Sequence, residues 1–396
     1  MSLGHGRWVR AFGAVGAVLA ALFLLVFRRE PTGTIAGDYD DHVAHVGETR
    51  VVGTVGLDLW RIPAMRLFRP LTLEEIDRLP ADVKAHALLH RPDVQLVPTF
   101  PSDRPLVINY PHLPRCYPPG VFLASAPSAL LYHFGLLSFG DSNRSYLALL
   151  VVAWLLALRA WTSSWKDSPP SLGRQIATAG AAAYAWYWAM NGFYDLWAVA
   201  LASAGLAAIR KRQLGAGALM LGASAFIHPR MLILSPLFVL VALDTARRWR
   251  RLGRAEQLAC VGGAALLASA YAFAIAIQGT VRLHALSHQT ANVVRPGGGS
   301  WAIAAAYGAF MVWLATALWR KNERWDAVLV LFAAAAFSSQ RYLCPWYWLP
   351  ILPWALLPSL RARDGAAPAR LSAIGAFARV VVTVVLYVAS NIERWT

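Results

Sequence analysis

Residues 193–230 read FYDLWAVALASAGLAAIRKRQLGAGALMLGASAFIHPR. Two apolar runs, 193–209 and 213–227, are separated by Arg210-Lys211-Arg212, and the second is followed by His228-Pro229-Arg230. Each run is long enough for a helix, and the polar tripeptides are typical of connectors between helices. A basic connector between two apolar runs predicts a helical hairpin in a membrane.

The same alternation extends over most of the chain. Hydrophobic residues make up 57% and charged residues 15% of the 396 residues, which is too little polar material to cover a soluble globule of this size. The fold class that this predicts is an all-α polytopic membrane protein with about eleven transmembrane helices. The apolar runs fall near 11–27, 145–162, 175–190, 193–209, 213–227, 231–245, 257–278, 301–319, 326–340, 345–360 and 371–391.

The distribution of positive charge assigns the sides of the membrane. The formal net charge is +16, but the basic excess lies in short connectors between apolar runs, a pattern that argues against a nucleic-acid partner. Basic clusters recur at every second connector, so we expect them all to be cytoplasmic, with the N-terminus cytoplasmic and the C-terminus outside. They are Arg159/Lys166/Arg174, Arg210-Lys211-Arg212, Arg247 to Arg254, Arg320-Lys321/Arg324 and Arg361/Arg363/Arg370.

This assignment holds only if residues 119–138 do not cross the membrane, and it divides the chain into three parts. Residues 1–27 are predicted to form an uncleaved first transmembrane helix, because Arg28-Arg29-Glu30 follows without a cleavage site. Residues 28–144 form one extracytoplasmic loop with juxtamembrane helices, including 119–138 and a charged helical patch around Leu73 to Leu89. Residues 145–396 form a bundle of about ten transmembrane helices.

An acidic stretch follows the first apolar run: Gly37-Asp38-Tyr39-Asp40-Asp41-His42-Val43-Ala44-His45. It holds three of the 21 acidic residues within four positions, at a predicted membrane surface. One interpretation is a catalytic carboxylate cluster, and the other is a solvated turn. Asp38 and Asp41 rank above Asp40 as a general base, because Asp38 follows a glycine that permits a sharp turn and Asp41 is placed to begin a short helix.

Other predicted outward residues also carry two interpretations. Asp195 is expected to face the acidic cluster or water, or else to be a helix N-cap. His228 is either a ligand-binding residue or a cap of its turn. Arg295 and Arg341 suit a phosphate, but each also suits a membrane anchor.

Two aromatic triplets, Trp186-Tyr187-Trp188 and Trp346-Tyr347-Trp348, also map to the outer interface in this topology. Amphipathic aromatic rings are enriched at membrane interfaces, and flat rings also stack on sugars. We therefore expect these triplets to be interface anchors, with sugar-stacking platforms as the alternative.

These features together resemble the GT-C superfamily of membrane glycosyltransferases. The resemblance lies in the early acidic stretch, in Tyr117-Pro118-Pro119-Gly120 opening a juxtamembrane helix, and in the Phe226 to Arg230 hairpin, which usually reads Lys-Pro in the family. It also lies in the late stretch from Arg341-Tyr342 to Leu349-Pro350. The motifs are short, and the chain departs from the family at His228.

The resemblance implies transfer of a sugar from a polyprenyl-phosphate-linked donor to a glycan, lipid or protein acceptor on the outer face. The implied location is the bacterial cytoplasmic membrane, with membrane lipids as neighbours. The catalytic candidates are then Asp38, Asp41 and Asp40. The substrate-binding candidates are His42, His45, Tyr117, Asp195, His228, Arg230, Arg295, Arg341 and Tyr342. A divalent cation, Mg²⁺ or Mn²⁺, is left open, and the sequence names no ligand for it.

Two other classes of protein share parts of this pattern. A flippase or transporter for lipid-linked glycans is also polytopic, but it is expected to carry more charge in mid-span than this chain does. An O-antigen ligase or polymerase-like enzyme is also polytopic with outer arginines, but it typically has its large outer loop late in the chain.

Overall fold

The computed structural model describes residues 62, 64–67, 69, 71–79, 81, 94–97, 106–109, 119–166, 172–190, 192–228, 231, 241–242 and 245–287. Within these ranges the chain is helical apart from one short β-hairpin, which the sequence analysis did not predict. The α-helices are α1 (Ala64–Leu67), α2 (Leu73–Asp77), α3 (Pro119–His133), α4 (Phe139–Thr162), α5 (Leu172–Met190), α6 (Asp195–Arg210), α7 (Leu214–Ile227) and α8 (Arg254–Ser287). Short 3₁₀ helices lie at Ser163–Lys166 and Trp249–Arg251.

The hairpin consists of strands β1 (Val94–Val97) and β2 (Leu106–Asn109). They pair antiparallel, with Val94 opposite Asn109 and Val97 opposite Leu106. The strands are short and rich in β-branched and aliphatic residues, as is usual for strands. They lie within the segment 28–144, which therefore contains both strands and helices.

Helix α2 confirms part of the helical patch predicted around residue 73. Thr72 caps it, accepting a hydrogen bond from the Glu75 backbone N–H while the Glu75 carboxylate accepts one from the Thr72 N–H. Arg69 donates two hydrogen bonds to the same carboxylate, at 2.8 and 2.6 Å. The Arg69 guanidinium, helped by the Thr72 backbone, lowers the pKa of Glu75 to about 2.

The predicted apolar runs correspond to helices wherever the structure describes them. Helix α4 covers the run at 145–162 but begins at Phe139, where the Ser138 side chain accepts a hydrogen bond from the Asp141 N–H. Helix α8 covers the run at 257–278 and extends beyond both of its ends. The runs at 1–27 and beyond residue 300, and most of 231–245, lie outside the described residues.

Buried contacts between helices set their relative directions. Trp154 of α4 donates a 2.9 Å hydrogen bond to the Ala182 carbonyl of α5, and Tyr146 donates one of 3.3 Å to the Gly192 carbonyl just after α5. Helices α4 and α5 are therefore antiparallel. Trp161, near the end of α4, donates to the Ser203 hydroxyl of α6 at 2.9 Å, so α6 returns alongside α4 in the same direction.

Helix α7 packs against both α6 and α8 through glycines. A Cβ added at Gly205 of α6 would lie 3.0 Å from the Gly217 carbonyl oxygen of α7, so these antiparallel helices are in close contact. A Cβ at Gly215 would lie 2.8 Å from the Glu256 Cα, and one at Gly222 would overlap the Gly263 carbonyl. Helices α7 and α8 are thus parallel, with backbones close enough that only glycine fits.

Two helical stretches in the described part of the chain are long and apolar enough to cross a membrane. They are Arg144–Thr162 in α4 and Arg254–Phe273 in α8. The first window is 61% buried within the protein, whereas the second is only 17% buried, so α8 presents most of its apolar surface outward. The total number of spans and the orientation of the spans in the membrane are predictions from the sequence.

Helix α3 occupies the segment that the sequence analysis predicted not to cross. Its 15 residues span about 22 Å, which is shorter than the roughly 30 Å of a bilayer core. It packs against α4, where the Ser142 hydroxyl donates a 2.8 Å hydrogen bond to the Ser128 carbonyl. Leu123 and Leu130 remain 67% and 46% exposed, as expected of a helix at a membrane interface.

Candidate functional site

A buried acidic residue and a buried histidine face each other across the α6–α7 hairpin. The Nε2 atom of His228 lies 3.0 Å from the Oδ1 atom of Asp195, at ion-pair distance. The side chains are only 6% and 1% exposed, respectively. Burying two polar groups is costly unless they interact, so the pair marks this end of the bundle as a candidate site.

The hairpin itself brings the two residues together. Asp195 is the first residue of α6 and His228 follows the last residue of α7, so both lie at the end away from the connector 211–213. The His228 backbone is extended (φ −135°, ψ 115°), as expected before Pro229. The Asp195 carboxylate lies in the first turn of α6, where the helix dipole favours negative charge.

The two residues only partly follow their predicted roles. Asp195 is not the helix N-cap, because that position belongs to Tyr194, which makes no side-chain cap hydrogen bond. Asp195 does not lie at a water-exposed surface either, since it is buried against His228. His228 does end its helix, its N–H donating to the Ser224 carbonyl at 3.0 Å, but its side chain contacts Asp195 as well.

Tyr194 is a component that the sequence analysis missed. Its ring stacks on the His228 imidazole with centroids 5.3 Å apart and planes inclined by 17°. Tyr194 is 3% exposed, so the stack is buried and holds the imidazole in one plane. The sequence signal for Tyr194 was its position next to Asp195, because adjacent residues at the start of a helix lie in the same surroundings.

The turn before α6 is held in place by neighbouring aromatic residues. Gly192 has φ of 81°, in the left-handed region that glycine adopts readily. Its carbonyl accepts the hydrogen bond from Tyr146, and Phe193 is fully buried against Trp188, with ring centroids 4.9 Å apart. The packing of this turn therefore fixes the positions of Tyr194 and Asp195, which follow it in the chain.

This packing corrects one expectation for the first aromatic triplet. Trp188 is 4% exposed and belongs to the core, so its prediction as an interface anchor is wrong. Trp186 is partly buried against Trp154, with ring centroids 5.0 Å apart. Tyr187, 47% exposed, is the residue of the triplet that suits an interface.

The start of α3 lies against the end of α7, just before His228. A Cβ added at Gly120 would lie 2.6 Å from the Phe226 carbonyl carbon and 2.7 Å from the Ile227 Cα. The Pro119-Gly120 start of α3 and the His228 hairpin, two motifs picked out from the sequence, are therefore neighbours. They meet at what we call the Asp195 end of the bundle.

Basic residues lie at the other end, which we call the Arg210 end. Arg159 lies in the last turn of α4, Arg210 in the last turn of α6, and Arg250 and Arg251 in the 3₁₀ helix before α8. From the helix directions given above, these positions are all a helix length away from Asp195. The bundle thus separates its buried carboxylate from its basic connectors, as the charge pattern predicts.

The remaining candidates lie outside the described residues. They are Asp38, Asp40, Asp41, His42, His45, Tyr117, Arg230, Arg295, Arg341 and Tyr342. Two of them border the site in sequence: Tyr117 precedes the start of α3 by two residues, and Arg230 follows His228 by two. Among the described residues no group of three or more His, Cys, Asp or Glu side chains is arranged to hold a metal ion.

The Asp195–His228 pair can act in either of two chemical ways. A carboxylate that contacts an imidazole can orient it as a proton acceptor, and it can also stabilise the protonated ring as a fixed cation.

Comparison of the chain with models of protein families, with curated proteins and with solved structures finds no match. The role of the pair is therefore argued from its geometry.

Proposed function

We propose that the chain is a GT-C-type membrane glycosyltransferase that transfers a sugar from a polyprenyl-phosphate donor to a glycan, lipid or protein acceptor outside the cytoplasm. The observation that carries the proposal is the buried Asp195–His228 pair, 3.0 Å apart, at the end of the bundle opposite the basic connectors. The positive-inside rule places those connectors in the cytoplasm, and hence the pair near the outer surface.

This location suits a donor that is itself anchored in lipid. A polyprenyl chain holds the sugar phosphate at the membrane surface, so the enzyme needs charged and polar groups at helix ends. The pair supplies such groups at the ends of two helices, beside the start of α3. A nucleotide-sugar donor would instead be met on the cytoplasmic side.

His228 is proposed to stabilise the donor phosphate. It occupies the hairpin position that usually reads Lys-Pro in the GT-C superfamily, where a cation is expected. A protonated imidazole carries the same sign of charge as lysine. Tyr194, stacked on the ring, limits its rotation.

The general base is proposed to come from the acidic stretch, with Asp38 or Asp41 as the residue. The acceptor hydroxyl oxygen forms a bond to the anomeric carbon while the bond from that carbon to the phosphate oxygen breaks. The hydroxyl proton passes to the carboxylate, and the phosphate leaves with the electron pair of the broken bond. Positive charge at the phosphate lowers the barrier because negative charge develops there.

The phosphate role is tested with His228 variants in lipid nanodiscs. Purified protein is given a panel of polyprenyl-phosphate sugars and acceptors, and release of polyprenyl phosphate is measured. His228→Gln should lower turnover by about 10- to 150-fold, equal to about 1.5–3 kcal/mol for a charge-assisted contact. His228→Lys, which keeps the charge, should retain much more activity than His228→Gln.

Asp141→Asn is the control for changing a polar side chain at the same end of the bundle. Asp141 lies in the first turn of α4 and is about half exposed, so its loss should leave turnover unchanged. Equal activity of the Gln and Lys variants would show that charge at position 228 has no part in turnover. Movement of lipid-linked glycan across liposomes without sugar transfer would instead identify a transporter.

The base is tested separately with Asp38→Asn and Asp41→Asn. Each substitution keeps the shape of the side chain and removes the proton acceptor, so loss of the true base should lower turnover by roughly 100-fold or more. Thermal unfolding of each variant checks that folding is intact. Full activity in both variants would mean that the acidic stretch is a solvated turn.

A further inference from the structure

A concave site lies at the Arg210 end of the bundle, far from Asp195. It is a groove of about 940 Å³ between α7, α8 and residues 241–251. Its floor includes Thr245 and Cys260, which are both buried, with Oγ1 and Sγ 3.9 Å apart. The walls are apolar and include Val241, Ala242, Val261, Ala264 and Leu267.

Three arginines and one tryptophan line the mouth of this groove. Arg247, Arg250 and Arg251 are exposed, and none of them makes an ion pair with another residue in the described part of the chain. Trp249 lies among them and is 39% exposed. The groove therefore joins an apolar interior to a strongly positive rim.

Helix α8, which lines one side of the groove, is mostly uncovered. The apolar window of α8 is only 17% buried, and Leu258 and Val261 on this helix are 65% and 55% exposed. In a membrane such a face contacts acyl chains. The arginines lie at the predicted cytoplasmic surface of the bilayer, and a tryptophan beside them is typical of that depth.

We propose that this groove binds an anionic glycerophospholipid of the cytoplasmic leaflet. The arginines hold the phosphate, and an acyl chain lies against the apolar wall formed by Val261, Ala264 and Leu267. Charge complementarity favours an anionic over a zwitterionic lipid. The apolar walls favour a lipid over a soluble phosphate compound, which has nothing to place there.

Native mass spectrometry of the full chain in detergent tests the proposal. Wild-type protein is titrated with phosphatidylglycerol and, separately, with phosphatidylcholine of the same acyl chains. Phosphatidylglycerol should bind at least about tenfold more tightly. The triple variant Arg247→Gln, Arg250→Gln, Arg251→Gln should lose about 100-fold in affinity for phosphatidylglycerol, at about 1 kcal/mol per arginine.

A second triple variant separates the groove from general charge. Arg159→Gln, Lys211→Gln, Arg212→Gln removes three positive charges from the same end of the bundle, at residues that do not line the groove. It should bind phosphatidylglycerol as the wild type does. If the two triple variants weaken binding equally, the lipid is attracted by net charge alone and the proposed site is refuted.

The acyl-chain part of the proposal has its own test. Ala264 is an exposed position on the wall, so Ala264→Trp fills the groove while keeping every arginine. It should weaken phosphatidylglycerol binding by about tenfold or more through steric exclusion. Unchanged binding in this variant, or full competition by millimolar glycerol phosphate, would mean that the rim binds a phosphate group and that the groove holds no lipid.

Discussion

Removing His228 should destabilise the protein more than removing its partner does. The side chains of Asp195 and His228 are 1% and 6% exposed, and Leu196 and Phe193 beside Asp195 are fully buried. His228→Ala leaves a carboxylate in these surroundings. Breaking a buried pair in this way costs about 3–5 kcal/mol.

The cost is unequal because the two residues respond differently to isolation. A buried carboxylate that loses this contact must either remain charged without it or take up a proton at pH 7, which costs about 4 kcal/mol for an ordinary aspartate. The imidazole ring is largely apolar and keeps its stack on Tyr194 when the carboxylate is removed. Asp195→Ala should therefore cost only about 1–3 kcal/mol, for an imidazole that loses its partner.

The assay is reversible unfolding of the purified protein in mixed detergent, with the free energy of unfolding read from the helical signal. Adding Asp195→Asn to His228→Ala should recover about 2 kcal/mol or more, because a neutral amide replaces the buried carboxylate. Arg144→Ala is the control: it breaks the exposed pair between Arg144 and Asp141, 2.8 Å apart, and should cost about 0.2–1 kcal/mol.

Two results would refute this reasoning. One is a cost for His228→Ala no larger than that for Arg144→Ala. The other is a double variant that is no more stable than His228→Ala alone. Either would show that the contact between Asp195 and His228 does not govern the energetics of this end of the bundle.

Three further predictions concern packing and charge elsewhere in the chain. Gly222→Ala should lower the free energy of unfolding by about 1–3 kcal/mol, because its Cβ would overlap the backbone of α8. Gly180→Ala is the control and should not be destabilising, because no atom lies within 4 Å of its added Cβ. The same unfolding assay measures both variants. Ser203→Ala removes the acceptor of the buried indole N–H of α4 and should cost about 1–3 kcal/mol, and an intact unfolding midpoint would contradict that role. Arg69→Gln should raise the pKa of Glu75 from about 2 toward its ordinary value of 4.5, as followed by carboxyl NMR chemical shifts. Since the pKa is lowered in the folded state, the contribution of Glu75 to stability is present above pH 4.5 and is lost as the pH falls toward 2, and an unshifted titration in the variant would count against the pairing.

The helices could be predicted from the sequence because their ends are set by local chemistry. Apolar runs between basic connectors predicted α4 to α7 to within a few residues, except that α4 begins six residues before 145. The exception has a local cause, since Ser138 caps the helix and Asp141 favours its first turn. Strands β1 and β2 were missed because two four-residue strands give too short a pattern.

The position of Asp195 and His228 at the same end of the bundle follows from the sequence. They are almost equally distant from the Arg210-Lys211-Arg212 connector, so any antiparallel hairpin places both at its open end. Three features of the pair depend on how each helix is rotated about its own axis: its burial, the direct contact between Asp195 and His228, and the stacking of Tyr194 on His228. That rotation is set by contacts between residues far apart in the chain, and no local pattern encodes it.

Tertiary structure alone also decided which face each helix buries. Trp188 and Tyr187 are adjacent in an apolar helix, yet Trp188 packs on Phe193 in the core and Tyr187 is half exposed. Likewise, glycines are spread along α7, but Gly222 acquires its role from Gly263, which lies in a separate helix, α8. In a helix that is apolar on every side, hydropathy does not distinguish the faces, so close packing with neighbouring helices chooses between them.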